Sequence, residues 1–180
     1  MHRLFAAIRP PRPVRERLSM LMQGVRGARW QNDGQLHLTL RFIGEVEPRP
    51  AEDIAMALEG VSVPAFEIAL DGIGFFERKG RPSALWAGIA PSDSLKKLQA
   101  KIERCCRRVG LDVEHRNFLP HITIARLNAS TGPIENFLEH NAGLVGPNFA
   151  VGEFHLFESH LGRAGAHYES IARYPLNAKG

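Results

Sequence analysis

Short apolar runs alternate along this chain with stripes of helical period, and the alternation predicts its elements. Residues 3–8 form an apolar run of strand length that Pro10 to Pro13 interrupt, and Pro13 suits the first turn of a helix reaching about Gly24. In that helix Val14, Leu18, Leu21 and Val25 recur at spacings of four, three and four while Arg15, Arg17 and Arg26 fall elsewhere, the pattern of an amphipathic surface helix. Residues 36–43 predict a strand ended by Gly44, residues 50–60 a second helix, and residues 65–76 an extended stretch in which Phe66, Ile68 and Leu70 alternate. The order then recurs. A strand at 83–90 precedes a helix at 92–109 capped by Ser92 or Asp93, a strand at 120–127, a helix at 133–141 and an extended stretch at 149–161; a last strand spans 167–176. The 92–109 helix has the most regular stripe, Leu95, Leu98, Ile102, Cys105 and Val109, against a solvated basic face from Lys96 to Arg108.

A strand-helix-strand-helix-strand series over residues 3–76 and its recurrence over 83–161 predict two related units. No linker, low-complexity tract or charge block divides them, so they are expected as two lobes of one domain spanning 1–180. A chain of 180 residues, 44% hydrophobic and 23% charged, can bury one substantial core without a metal or disulfide. Cys105 and Cys106 are adjacent on a helix and badly placed to bridge, which suits a reducing cytoplasm. No apolar run approaches the roughly 20 residues of a membrane span, and the first residues break too early into Arg and Pro for a secretory signal. A cytoplasmic monomer without a membrane association is the expectation. The net charge of +4 leans toward a phosphorylated or polyanionic partner.

The chemistry lies in a repeated tetrapeptide. Of three threonines, two follow a histidine at the second place, in His37-Leu38-Thr39-Leu40 and His121-Ile122-Thr123-Ile124. Random placement of 8 histidines predicts about 0.1 such pairs. On a strand His37 and Thr39 share one face while Leu38 and Leu40 enter the core, and the same holds at 121–124. If the two units face each other about a pseudo-twofold axis, the pairs meet across one cleft. Two imidazoles flanking one centre suit phosphoryl displacement: one takes a proton from water, and the other gives one to the leaving oxygen. The threonine hydroxyls can donate to non-bridging oxygens whose charge grows in the transition state. No His-x-x-x-His, His-Glu-x-x-His or Cys-x-x-Cys spacing is present, so no metal and no cofactor is expected.

These motifs resemble the signature of the RNA 2′,3′-cyclic phosphodiesterases, also called 2′-5′ RNA ligases, in the 2H phosphoesterase superfamily. The likeness extends to the opening segment from Arg3 to Ile8, LHLTLRFIGEV from Leu36, Leu85-Trp86-Ala87-Gly88, and FLPHITIAR from Phe118. It continues through Leu156, Ser159, Leu161, Gly165, Tyr168 and Pro175-Leu176, so it spans essentially the whole chain. The resemblance implies a bilobed α+β fold, with two antiparallel sheets around a central cleft and helices packed outside. It also implies hydrolysis of an RNA-terminal 2′,3′-cyclic phosphate to a 2′-phosphate, with weak reverse ligation of 2′-5′ ends. The partner is then an RNA terminus or a nucleotide bearing that group. His37 would protonate the departing 3′ oxygen, His121 would activate water, Thr39 and Thr123 would hold the phosphate, and Arg126 would pair with it.

Strict alternation places Arg126 on the face opposite His121 and Thr123, so a strand end or bulge must re-aim it. Arg41 shares parity with His37 and Thr39, which makes it a substrate-binding candidate with a surface or lobe-bridging role as the alternative, while Phe42 falls in the core. Trp30 and Trp86 are expected to pack in the interior, with base stacking as the alternative; Tyr168 either supports the cleft or packs in it. His2, His115, His140, His155, His160 and His167 lack the repeated context and are read as surface or structural. Two other functions remain open on these residues: a module that binds a nucleotide or RNA end without processing it, and a phosphodiesterase for a small cyclic nucleotide or a 2′-5′ oligoadenylate.

Overall fold

The computed structural model describes residues 1–177, and the last three residues of the expected 1–180 domain lie outside them. The elements run β1 (His2–Ile8), α1 (Arg12–Ser19), β2 (Arg29–Trp30), β3 (Leu38–Val46), α2 (Pro48–Leu58), β4 (Phe66–Arg78), β5 (Arg81–Ile89), α3 (Asp93–Arg108), β6 (His121–Arg126), α4 (Glu135–Asn141), β7 (Val145–Val151), β8 (Glu153–Gly162) and β9 (Gly165–Pro175). Proline in the first turn starts α1 and α2, as its missing N–H allows, and the Ser92 hydroxyl caps α3 by accepting from the Leu95 N–H at 3.1 Å. Leu95, Leu98, Ile102 and Cys105 face inward as the stripe predicts; Val109, its last member, stands at the C-cap and is exposed. Among the described residues no helix is long and apolar enough to cross a membrane.

The strands form one antiparallel path, β7-β4-β5-β6-β3-β1-β8-β9, with β2 added beside β6. It consists of two four-stranded halves that meet at the seam between β6 and β3, where a single residue pair, Leu38 with Ile122, joins them. Read outward from the seam, β6 corresponds to β3, β5 to β1, β4 to β8 and β7 to β9. The halves are therefore not the sequence units. The third strand of the first unit, β4, pairs with β5 of the second, and β8 pairs with β1. A two-residue turn at Lys79-Gly80, both at positive φ, closes β4 tightly onto β5, so local hairpin formation overrides the unit boundary. The extended stretch expected at 149–161 divides at Gly152: β7 runs along β4, and β8 lies between β1 and β9.

One core lies on the helix side of the sheet. Leu38, Leu40, Ile122 and Ile124 from the seam strands pack there with Val14 and Leu18 of α1, Ile54 and Leu58 of α2, Leu98 and Ile102 of α3, and Phe137 of α4. A small second cluster, Phe5, Ala7 and Phe157 with Tyr168 against it, is separate from the main core.

Two bulges shape the seam. Along β3, Ala7 pairs with Thr39 and Ala6 with Arg41, skipping Leu40; along β6, Trp86 pairs with Thr123 and Leu85 with Ala125, skipping Ile124. Each bulge follows its His-x-Thr by one residue and reverses the parity beyond it. Leu40 and Arg41 are thus both buried and Phe42 is 41% exposed, which corrects the expectation that Phe42 is core. In the other half Ile124 and Ala125 are both buried and Arg126 is exposed.

Candidate active site

A cleft of about 1010 Å³ opens at the seam, and His37, Thr39, His121, Thr123 and Arg126 all line it. The antiparallel pairing of Leu38 with Ile122 explains the convergence. One residue to either side, His37 comes opposite Thr123 and Thr39 opposite His121, on the face away from the buried Leu38 and Ile122. The result is a rectangle with a histidine and a threonine on each strand and like residues on its diagonals. The bulge at Ile124 supplies the re-aiming that Arg126 requires, and the guanidinium is near enough to lower the proton affinity of both imidazoles.

Each imidazole is held in the same way. His37 Nδ1 lies 2.7 Å from the carbonyl oxygen of Gln35, and His121 Nδ1 lies 2.6 Å from that of Leu119, in both cases two residues upstream. A carbonyl only accepts, so each neutral ring carries its proton on Nδ1 and presents the Nε2 lone pair. The carbonyls are themselves anchored. Gln35 ends a single 3₁₀ turn (residues 33–35) closed by a reciprocal Asn32–Gln35 capping box, and Arg9 donates to the carbonyls of Asp33 and Leu36 at 2.6 and 2.8 Å. Leu119 follows a loop tied down near its start, where Glu103 of α3 accepts from the Glu114 N–H at 3.1 Å.

Arg41 holds that same loop. It is 8% exposed and lines the cleft, but its Nε donates to Glu103, one terminal nitrogen to the Phe42 carbonyl and the other to the Asp112 carbonyl. Arg41 therefore stands at the cleft as parity suggests and also bridges β3, α3 and the loop before His121.

The walls differ. His37 packs against Phe5 at 4.8 Å between ring centroids and edge-on to Tyr168 at 5.1 Å; His121 packs edge-on to Phe76 at 4.8 Å and lies 5.9 Å from Trp86. Burial, with the charges of Arg126, His121 and Arg9 behind it, pushes the His37 imidazole down to about 4 despite its carbonyl bond. Burial and then Arg126 also lower His121. Trp86 lies flat over Gly74, where an added Cβ would come within 2.3 Å of the indole, so it forms packing beneath His121. Trp30 packs against Phe137 at 5.7 Å, beside the core.

The remaining histidines stay out of the cleft, and several have partners elsewhere: His155 bonds Ser170, His2 bonds Glu158 and His160 bonds Glu169. Glu158, His160 and Glu169 bring their ligating atoms within 4.8 Å of one another, but none of the three lines the cleft. Sequence reasoning missed the two tethering carbonyls, which any residue type supplies, and Phe76, whose approach to His121 depends on the β4–β5 hairpin.

The sequence profile of the 2′-5′ RNA ligase superfamily matches residues 10–163. The chain is 31% identical over 158 residues to the RNA 2′,3′-cyclic phosphodiesterase of Thermotoga maritima, covering 87% of this chain and 83% of that one. It is 30% identical to the Aeropyrum pernix RNA 2′,3′-cyclic phosphodiesterase over 77% and 81% of the two chains. The Geobacillus stearothermophilus relative, at 29% identity over 82% of this chain, is longer, and the match spans 47% of it. Among solved structures, Escherichia coli LigT complexed with 3′-AMP superposes with a TM-score of 0.80 at 28% identity over 98% of each chain. TT0787 of Thermus thermophilus superposes at 0.84 and 26% over 99% and 100%. With the profile covering most of its length and the duplicated His-x-Thr motifs meeting at one cleft, the chain belongs to the 2′-5′ RNA ligase superfamily.

Proposed function

We propose that this protein is a metal-independent RNA 2′,3′-cyclic phosphodiesterase that opens a terminal ribose 2′,3′-cyclic phosphate to a 2′-phosphate, with weak, reversible 2′-5′ ligation where a 5′-hydroxyl takes the place of the attacking water. The observation that carries the reading is the His-Thr rectangle, with both Nε2 atoms free for proton transfer. Relatives named for this activity support it, and so does a structural neighbour complexed with 3′-AMP. A reduced, cytoplasmic setting accords with two buried, unpaired cysteines.

In the proposed reaction His121 Nε2 accepts a proton from water as the water oxygen bonds to phosphorus. The P–O3′ bond breaks, and protonated His37 passes its Nε2 proton to the departing 3′ oxygen. The products are a 2′-phosphate and a 3′-hydroxyl, and the two histidines have exchanged protonation states, to be restored through solvent. Thr39, Thr123 and Arg126 donate to the non-bridging oxygens as their charge grows. His37, held near 4 in the free protein, gains its proton when the anionic diester enters beside it, since a neighbouring negative charge favours imidazolium. Arg41 acts on the site indirectly, by fixing the loop that ends at the Leu119 carbonyl.

The test is incubation, in EDTA, of a short RNA ending in a 2′,3′-cyclic phosphate, with the terminal phosphorus followed by NMR. A 2′-phosphate forming with the wild type and not with His121→Ala is the expected result. An unchanged cyclic end with both proteins refutes the RNA-end activity. Tight binding of that end without turnover would identify a binding module instead.

A further inference from the structure

Beside the reaction cleft is a smaller, polar pocket of about 220 Å³, lined by Arg29, Gln31, Asn32, Gln35, Arg126 and Tyr168 among others. Arg126 lines both cavities, and Tyr168 packs its edge against His37, so the two spaces adjoin at the catalytic rectangle. In this pocket β2 lies antiparallel to the end of β6 with Arg29 directly opposite Arg126. Like charges facing each other across a ladder are unfavourable unless something negative lies between them. Among the described residues neither guanidinium comes within 4.0 Å of a carboxylate: Asp33, the acid at this end of the site, is taken by Arg9 and Arg15. Gln35 directs its amide nitrogen to the Ala166 carbonyl at 2.8 Å, which fixes the pocket's far wall, and a Cβ at Gly165 would be in ordinary contact with Gln35 Nε2 at 3.6 Å and the Arg29 guanidinium at 3.9 Å.

We propose that this pocket holds the phosphodiester immediately 5′ of the terminal nucleotide, and that Arg29 thereby selects RNA chains over mononucleotides. The inference rests on the RNA-end reading of the reaction site. The larger cleft, with Phe42, Phe118 and Leu119 on its walls, receives the terminal nucleoside, while the chain leaves past Arg126 into the Arg29 pocket. Arg126 serves the reacting phosphate from one side and closes the second pocket from the other; Arg29 touches only the second phosphate.

The experiment compares adenosine 2′,3′-cyclic phosphate with the adenylyl-adenosine dinucleotide ending in the same group. On the wild type kcat/KM for the dinucleotide should be about tenfold higher, the scale of one charge-assisted contact. Arg29→Ala should remove that preference and leave the mononucleotide unchanged, and Arg29→Lys should restore part of it. Equal loss on both substrates, no loss on either, or a wild type that opens both without preference would overturn the proposal. Binding of the dinucleotide 2′-phosphate decides the matter without turnover. One lost phosphate contact should lower the salt slope of log K by about 0.7, and an unchanged slope refutes the second phosphate site. If the wild type opens neither cyclic substrate but this binding difference persists, the cyclic-phosphodiesterase reading fails and the pocket assignment stands.

Discussion

The two halves of the site share a register and differ in their walls. Thr39 faces Ala7 and Thr123 faces Trp86; a bulge follows each threonine, and each histidine leans on the carbonyl two residues before it. Counting past the bulges, Arg41 matches Ala125 and Phe42 matches Arg126, because Phe5 pairs with Phe42 as Ala84 pairs with Arg126. The common part builds a cradle that treats both sides of a phosphate alike. What is unshared, a cation on one side and an aromatic ring on the other, gives the cradle a direction. In the proposed reaction this difference separates the histidine that acts as acid from the one that acts as base.

The largest effects should come from breaking the common part. Replacing either His37 or His121 by Ala should lower kcat by about 10³-fold, within the range of a lost general acid or base. Single-turnover hydrolysis of the cyclic dinucleotide measures it, and a variant within tenfold of wild type would remove that histidine from the chemistry. Next comes the matched pair. Arg126→Ala should lower kcat by about 10²-fold, as for one lost donor to a developing oxyanion. Phe42→Ala should leave kcat within about threefold and act on KM. Equal losses at both positions would mean that the cation contributes no more than packing.

Arg41 gives a stability contrast with its counterpart Ala125. Arg41→Ala leaves the partly buried Glu103 carboxylate unpaired and frees the Asp112 carbonyl, so unfolding in urea should show a loss of about 3 kcal/mol. Arg41→Ala unfolding at the wild-type midpoint would show that the bridge contributes nothing.

The sequence made the histidines and threonines legible because a strand needs only alternation to place them, and recurrence separated these two histidines from six others. Alternation failed at Phe42, since a bulge adds one residue without changing the composition that would announce it. Arg126 showed the converse: its parity conflicted with the role the resemblance implies, which called for a strand end or a bulge, and a bulge lies at Ile124. The assignment of strands to halves was hidden because the repetition over 3–76 and 83–161 follows the order of elements along the chain, while pairing follows the Lys79-Gly80 hairpin. Arg29 carried no signal, because its position opposite Arg126 exists only once the two-residue β2 is laid beside β6.

The smallest effect concerns pH and tests how the two walls divide the proton. The proposed reaction requires one imidazole charged and one neutral, and in the free protein both are lowered below the usual 6.5, His37 to about 4. As pH rises through the upper apparent pKa of the pair, the singly protonated form is lost; below the lower one both rings are charged and no base remains. The profile of kcat/KM, which reports the free protein, should therefore be a bell whose alkaline limb lies below pH 6.5. The profile of kcat should have its alkaline limb at higher pH, because the bound anionic phosphate raises the proton affinity of the acid. Opening the wall of His121 with Phe76→Leu lets water reach that ring and should move the alkaline limb of kcat/KM upward by less than about one unit. A limb that stays fixed in Phe76→Leu would assign the upper pKa to His37, whose wall is unaltered.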